Sequence, residues 1–546
     1  MDKHTFAKID VRHLTALTNR YGLCSVQTGL FPTGNKRATT STPMQSRSES
    51  AIAINPKNGN NMIGVSKKFI DPAIYKFIIG VTYTFDAGST WHESQLPLKQ
   101  GWDVMTDPAV AFDNFGNAFI VGEPIRFNAD KVGTSGDLTG LGMAVYKSTD
   151  GGVTWGQPTQ LTTDTSDDKQ WVVCDNDPSS PYYGNVYVAW AASSPLRFAR
   201  STDHGATWKG KGSDQPGSSL VSFAFAPELS VSSDGTLHIL WHDDGSNTIR
   251  YLRSTDGGNT FSSVSAVVSG VFSLRGHLPQ TGGWPHFDYG KFRVITLVTD
   301  CTTSSDVLIV AWADMRDGRS RIYYRRSLDN GLTWEGPASG SILLPNVTYG
   351  DMHCFHPQVI ATGTGVIGCA FYVFGQEFNR WVIRVQLAAS WDDGETFSQF
   401  ITVTEQSWDP LVNAPFVHGD PNVHFIGEYF GLDAGDEEFA LLWTDTRTGV
   451  QELFSDVVQT KRIKCPRLPL LVAEILVGVI NDAGGFIIVG GKIKPIPPHS
   501  PFVRVLAALA EAESEAIEGT GREVTIAALR QVQAVVEKEI ARLTNG

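Results

Sequence analysis

An eight-residue pattern recurs six times along the chain, with Asp at its third position, Gly at its fifth and an aromatic residue at its eighth. The copies are residues 84–91 (TFDAGSTW), 148–155 (STDGGVTW), 201–208 (STDHGATW), 254–261 (STDGGNTF), 327–334 (SLDNGLTW) and 390–397 (SWDDGETF). Successive aspartates lie 53 to 73 residues apart, the length of a four-stranded unit with its loops. The chemistry is that of a hairpin turn. Asp accepts hydrogen bonds from turn N–H groups, Gly takes positive φ, and the aromatic ring pins the loop onto a sheet. Each copy has one fixed Asp rather than the alternating ligands and terminal Glu of a calcium loop, so the pattern reads as structure, and no metal or cofactor is expected.

Strand-like runs precede each copy: 109–112, 118–121 and 143–147 in the second unit, and 228–231, 237–241 and 248–253 in the fourth. A seventh set, 429–432, 439–443 and 451–458, lacks the pattern. With 41% hydrophobic and 18% charged residues, the chain is not disordered, and its 54 glycines and 27 prolines are scattered as a turn-rich all-β protein requires. The net charge of −13, with no basic cluster, excludes nucleic acid as a main partner. Six dispersed cysteines (Cys24, Cys174, Cys301, Cys354, Cys369, Cys465) read as buried free thiols. Residues 1–35 have no apolar signal region, and the longest apolar stretch, 468–480, is short and contains Glu474. No signal peptide or membrane span is expected, and a cytoplasmic location or export by a non-classical route follows.

The six copies resemble the Asp-box (BNR) repeats of the sialidase-like β-propeller superfamily. The resemblance implies an all-β, seven-bladed Asp-box β-propeller over 46–460, six blades being the alternative. Residues 1–45 are then an N-terminal segment whose strand near Leu23 to Leu30 closes the ring. Residues 461–546 read separately as a small C-terminal α+β appendage, a β-hairpin followed by two helices. The apolar stripe Ile526, Leu529, Val532, Val536, Ile540 and Leu543 is set to dock or to oligomerise.

Sialidases use an arginine triad, a Tyr nucleophile activated by Glu, and an Asp acid/base. By resemblance, the catalytic candidates are Asp71 as acid/base, Glu228 in APELSVSSDG as activating base and Tyr429 in GEYFGL as nucleophile. Arg47 (SRSESAIAINP) and Arg380 (NRWVIRVQ) match the first and third substrate-binding arginines. Where the second should stand, the chain has Trp241, His242 and Asp243. Asp107, after Thr106, and Asp168, in the run Asp167, Asp168, Lys169 and Trp171, precede strands and are further binding-site candidates. Asp314 with Arg316 and Asp445 with Arg447 follow Trp-bearing strands and read as loop-stapling ion pairs. The broken arginine set favours a glycan- or protein-recognition scaffold. The alternative is an exo-acting, sialidase-like glycoside hydrolase on acidic sugars.

Overall fold

The computed structural model describes residues 25–129, 137–278, 291–416 and 423–464. Runs of β-branched and aromatic residues between turns form antiparallel sheets that follow one another along the chain. The first holds Arg47–Ile54, Met62–Asp71, Lys76–Thr84 and His92–Ser94. The second is built on Val104–Phe112, Ala118–Phe127 and Ala144–Ser148, and the third on Gln170–Cys174, Val186–Trp190, Ala192–Ser201 and Ser218–Phe225. The fourth starts at Glu228–Val231, the fifth at Val298–Thr302 and the sixth at His353–Ala361, each again of four strands. In the last, Gly431–Ala434, Glu438–Asp445 and Glu452–Lys464 are joined by Ser25–Pro32 and Lys36–Arg37. Gly29–Thr460 forms one compact unit. Met1–Thr28 with Lys461–Gly546 forms another, and the expected C-terminal hairpin and helices lie outside the described residues.

This pairing corrects the expected seven-bladed, or six-bladed, β-propeller. Among the described residues, backbone ladders run within eight discrete sheets, and the arrangement is not closed or curled into a propeller. The sheets are also unequal. One small sheet pairs Arg275–Leu278 with Lys291–Ile295 and then, in parallel, Lys291–Ile295 with Val423–His424, a crossover that no regular series of blades contains. Closure was an implication of the resemblance carried by these turns, whereas a recurrent turn fixes only local geometry. The labels β-propeller, Asp-box and BNR repeat fall with that correction, and the turn stands as a local device.

In the second copy, Ser148 Oγ donates to Asp150 Oδ1 (2.8 Å) and accepts from Gly152 N (3.0 Å). Asp150 Oδ1 accepts from Thr154 N (2.9 Å), and Asp150 Oδ2 accepts from Thr154 Oγ1 (2.5 Å). The other copies repeat these bonds. Burial works to raise the Asp150 carboxyl, but the bonds from Thr154 and Ser148 hold it below its ordinary value. The fifth-position glycine answers two demands. Gly258 has φ of 82°, and a Cβ there would stand 2.8 Å from Phe198 Cζ of the preceding sheet. The fourth position is left-handed too, at Ala87, His204, Asn330 and Asp393, so two successive residues carry the turn.

The two Trp-Asp-Arg segments are stapled alike. Trp312 Nε1 donates to Asp314 Oδ2 (3.1 Å), and Arg316 grips the same carboxylate with Nε and Nη2 while lying over Tyr323. Trp443, Asp445 and Arg447 repeat the arrangement over Phe454. Cys174, Cys301, Cys354 and Cys369 are buried free thiols. Among the described residues, no helix is long and apolar enough to cross a membrane.

Candidate functional site

At the end of the sheets opposite the recurrent turns, five first strands carry a left-handed residue, within their first four residues or just before their start. Glu49 (φ 52°), Asp107 (φ 49°), Lys169 (φ 56°), Ala226 (φ 45°) and His356 (φ 48°) all occupy this conformation. At three of them the ladder register shifts, between Ser48 and Ala51, Thr106 and Ala109, and Phe355 and Gln358, which marks β-bulges. Proline follows Asp107, Ala226 and His356. Its missing N–H suits a position where the ladder is already interrupted. Non-glycine residues pay roughly 1–3 kcal/mol each for such a backbone, and such strain concentrates at functional sites.

The bulges bring charges together in the interior. Lys67 Nζ lies 2.8 Å from Glu49 Oε2 and 3.0 Å from Asp107 Oδ1. Lys169 Nζ lies 2.7 Å from both Asp107 Oδ2 and Glu428 Oε2. All five side chains are nearly removed from solvent. Lys67 also sits under aromatic rings, 4.8 Å from the centre of Phe77 and 4.9 Å from that of Phe425. Burial opposes the charge on both lysines, but Asp107 and the other carboxylates outweigh it and hold both ammonium groups well above their ordinary value. Burial likewise opposes the Asp107 carboxylate, yet Lys169 and Lys67 keep it well below the usual range.

Among the described residues, three carboxyl groups thus face two ammonium groups, and one proton restores neutrality among these five side chains. Burial, reinforced by Asp107, pushes Glu49 up to about 8, which favours the protonated form of this carboxyl near neutral pH. Asp168, whose Oδ1 accepts from Lys169 N (2.7 Å), is pushed up to about 6 by burial, although Lys169 opposes the rise. The cluster is therefore neutral in its direct contacts and becomes more anionic as Asp168 ionises. His356 is buried beside it, with neither ring nitrogen hydrogen-bonded among the described residues, and burial lowers its ring to about 3.

Of the residues singled out from sequence, Asp107, Asp168 and Tyr429 share this neighbourhood. The Tyr429 hydroxyl donates to Pro108 O (3.2 Å), and its ring meets Trp171 edge-on at 6.4 Å. Burial, then Glu49 and Asp107, raises the phenol well above its ordinary value. The other four stand apart. Glu228 accepts from Thr299 Oγ1 (2.8 Å) and is raised well above the usual range by burial and by Asp300. Arg47 is buried against Glu93 (3.3 Å), donates to Ser41 Oγ and Gln45 O, and is lowered by burial to about 10. Asp71 caps a short 3-10 helix, Pro72–Ile74, accepting from Ala73 N (3.0 Å). Arg380 is exposed at the mouth of a hairpin, paired across the strands with Glu377.

Glu49, Lys67 and Glu428 escaped the sequence reading. The available signal was the run of residue-Pro pairs entering first strands (DPAVAF, APELSV, HPQVIA), which marks the bulge end but not which charges meet there.

No protein-family model matches the chain, and no curated protein matches it. Among solved structures, a protein of unknown function from Dyadobacter fermentans aligns at 12% identity and a TM-score of 0.44, over 66% of this chain and 98% of that one. A Hadza microbial sialidase aligns at 16% identity and a TM-score of 0.37, over 60% and 63% of the two chains. The NanB sialidase from Streptococcus pneumoniae aligns at 13% identity and a TM-score of 0.40, over 62% and 66%. The chain thus spans less than two thirds of either sialidase. These are remote structural similarities and assign no family.

Proposed function

We propose that the protein is a recognition scaffold that presents the strand-start end of its sheets to a glycan or a protein, and that it does not hydrolyse acidic sugars. The observation that carries this reading is the charge balance of the Glu49, Lys67, Asp107, Lys169 and Glu428 cluster. Among the described residues, its cations are paired with its own carboxylates and no guanidinium is seen to join it. An acidic sugar needs a cationic fork, and Arg47 is already held by Glu93.

A second reading keeps Tyr429 as the nucleophile of an exo-acting glycosidase, since its hydroxyl lies in the field of Glu49, Asp107 and Lys169. Two facts weigh against it. The hydroxyl is committed to Pro108 O, and Glu228 is engaged with Thr299 and Asp300 instead. The experiment is a glycan array run beside hydrolysis of a fluorogenic sialoside and other acidic glycosides, with Tyr429→Phe as control. Binding without turnover is expected. Turnover abolished by Tyr429→Phe would replace the scaffold with the enzyme.

A further inference from the structure

Two Asn-Gly pairs lie among the described residues: Asn58-Gly59, in the turn between Arg47–Ile54 and Met62–Asp71, and Asn330-Gly331, in the fifth recurrent turn. The dipeptide carries its own chemistry. The backbone nitrogen of the glycine can attack the asparagine side-chain carbon, and because glycine has no Cβ, ring closure meets little hindrance. What holds the attacking nitrogen and the amide decides whether this happens, and the two pairs differ in both.

At Asn330 the reacting groups are held. Gly331 N donates to Ser327 Oγ (2.8 Å). Asn330 Nδ2 donates to Asp234 Oδ2 (2.8 Å) and Thr236 Oγ1 (3.2 Å), and Asn330 Oδ1 accepts from Ser232 Oγ (2.5 Å). The Asn330 carbonyl accepts from Arg253 Nη1 (2.8 Å). Gly331 is fixed further by its φ of 80° and by the Tyr251 hydroxyl, which a Cβ there would strike.

At Asn58 they are free. Asn58, Gly59 and Asn60 are exposed. The turn is pinned by Asn58 N donating to Asn55 O (3.0 Å) and Asn61 N donating to Asn58 O (2.7 Å), but among the described residues Gly59 N and Asn58 Nδ2 have no hydrogen-bond partner. Asn58 Oδ1 accepts from Asn60 N (3.3 Å), which sets a donor where negative charge develops during attack. Neither backbone conformation nor crowding requires glycine at position 59, since a Cβ built there meets only Glu438 Oε1, at 3.6 Å.

We propose that Asn58 is a site of spontaneous deamidation to aspartate and isoaspartate, from which the fold protects Asn330. Gly59 N gives up its proton to solvent base and bonds to Asn58 Cγ, while the Cγ–Nδ2 bond breaks and Nδ2 leaves as ammonia. Water then opens the succinimide. Cleavage at Cγ yields aspartate, and cleavage at the backbone carbonyl yields isoaspartate, with the chain running through the former side chain; nothing is oxidised or reduced. Either product puts a carboxylate into a turn that Glu438 already borders.

The test keeps the full chain folded in mildly alkaline buffer and follows both asparagines over time by peptide mass spectrometry, with isoaspartyl methyltransferase labelling to identify isoaspartate. Conversion at Asn58 is expected, with Asn330 slower by about tenfold or more because its hydrogen bonds must first be broken. In urea the two rates should converge. Gly59→Ala should slow conversion at position 58 several-fold while the melting temperature stays that of the parent. Conversion at Asn58 no faster than at Asn330 in the folded chain would overturn the proposal. So would a difference between the two that persists in urea, because flanking sequence rather than the fold would then set it.

Discussion

Asp150 and Asp107 are the same residue type at opposite ends of the second sheet, and they are stabilised by different means. Asp150 is served by hydroxyl and N–H groups within four residues of itself. Asp107 is served by Lys67, from another sheet, and by Lys169, which lies 62 residues further along the chain. The first arrangement is local, repeated and half in water. The second is assembled from distant segments, strained in backbone and buried. Function is more readily built into the second kind of end, because charges held away from water must be answered by specific partners.

The largest expected effect is at the buried end. Lys169→Met leaves Asp107 and Glu428 short of a cation and should cost about 3–5 kcal/mol of stability by urea unfolding. A loss no greater than that of a surface substitution would show that the cluster is not a coupled ionic unit.

The same end sets a pH dependence. Glu49 ionises near its ordinary 4.5 when unfolded and at about 8 when folded, so between these values the native state holds one more proton than the unfolded chain. Its contribution is full below 4.5 and is lost as pH rises through 8. Glu49→Gln should therefore make stability fall less steeply across this window, by about 1.4 kcal/mol per pH unit. Parallel profiles for parent and variant would break the assignment of the proton.

At the turn end the effects are smaller. Gly258→Ala should cost about 2 kcal/mol, since it combines a left-handed backbone with a contact against Phe198 that must give way. Asp150→Ala should cost about 1 kcal/mol. Its contribution is present above the ordinary carboxylate value of 3.8 and is lost on acidification, because the folded carboxyl is held below that value. Acid titration of parent against Asp150→Asn measures that sign. Least of all, Arg380→Ala should shift stability by less than about 0.5 kcal/mol, as its side chain is exposed.

What the sequence made readable follows the same division. The turns could be read because each is complete within eight residues, and even the overlooked parts, Ser or Thr at the first position and Thr at the seventh, stand in all six copies. Strands such as Leu237–Asp243 and Glu438–Asp445 extend by one or two residues beyond the runs of β-branched and aromatic residues that indicated them. Sheet association was not readable. The spacing of the turns gives the size of a four-stranded unit, but the propeller was implied only by the resemblance, and spacing carries no information on how separate sheets are placed. The site was half readable. Asp107, Asp168 and Tyr429 sit at or just before strand starts that sequence can locate, whereas nothing local shows that Lys67, on Met62–Asp71, and Glu428, before Gly431–Ala434, meet Asp107 and Lys169.

The central claim is that the buried cluster neutralises itself through a proton on Glu49 and so has no cation to offer an acidic ligand. Infrared difference spectroscopy of the parent against Glu49→Gln tests it most directly. The account predicts a protonated-carboxyl band at pH 6 that is absent from the variant and fades as pH rises through about 8. Spectra in which the substitution removes only ionised-carboxylate intensity at pH 6 would contradict it.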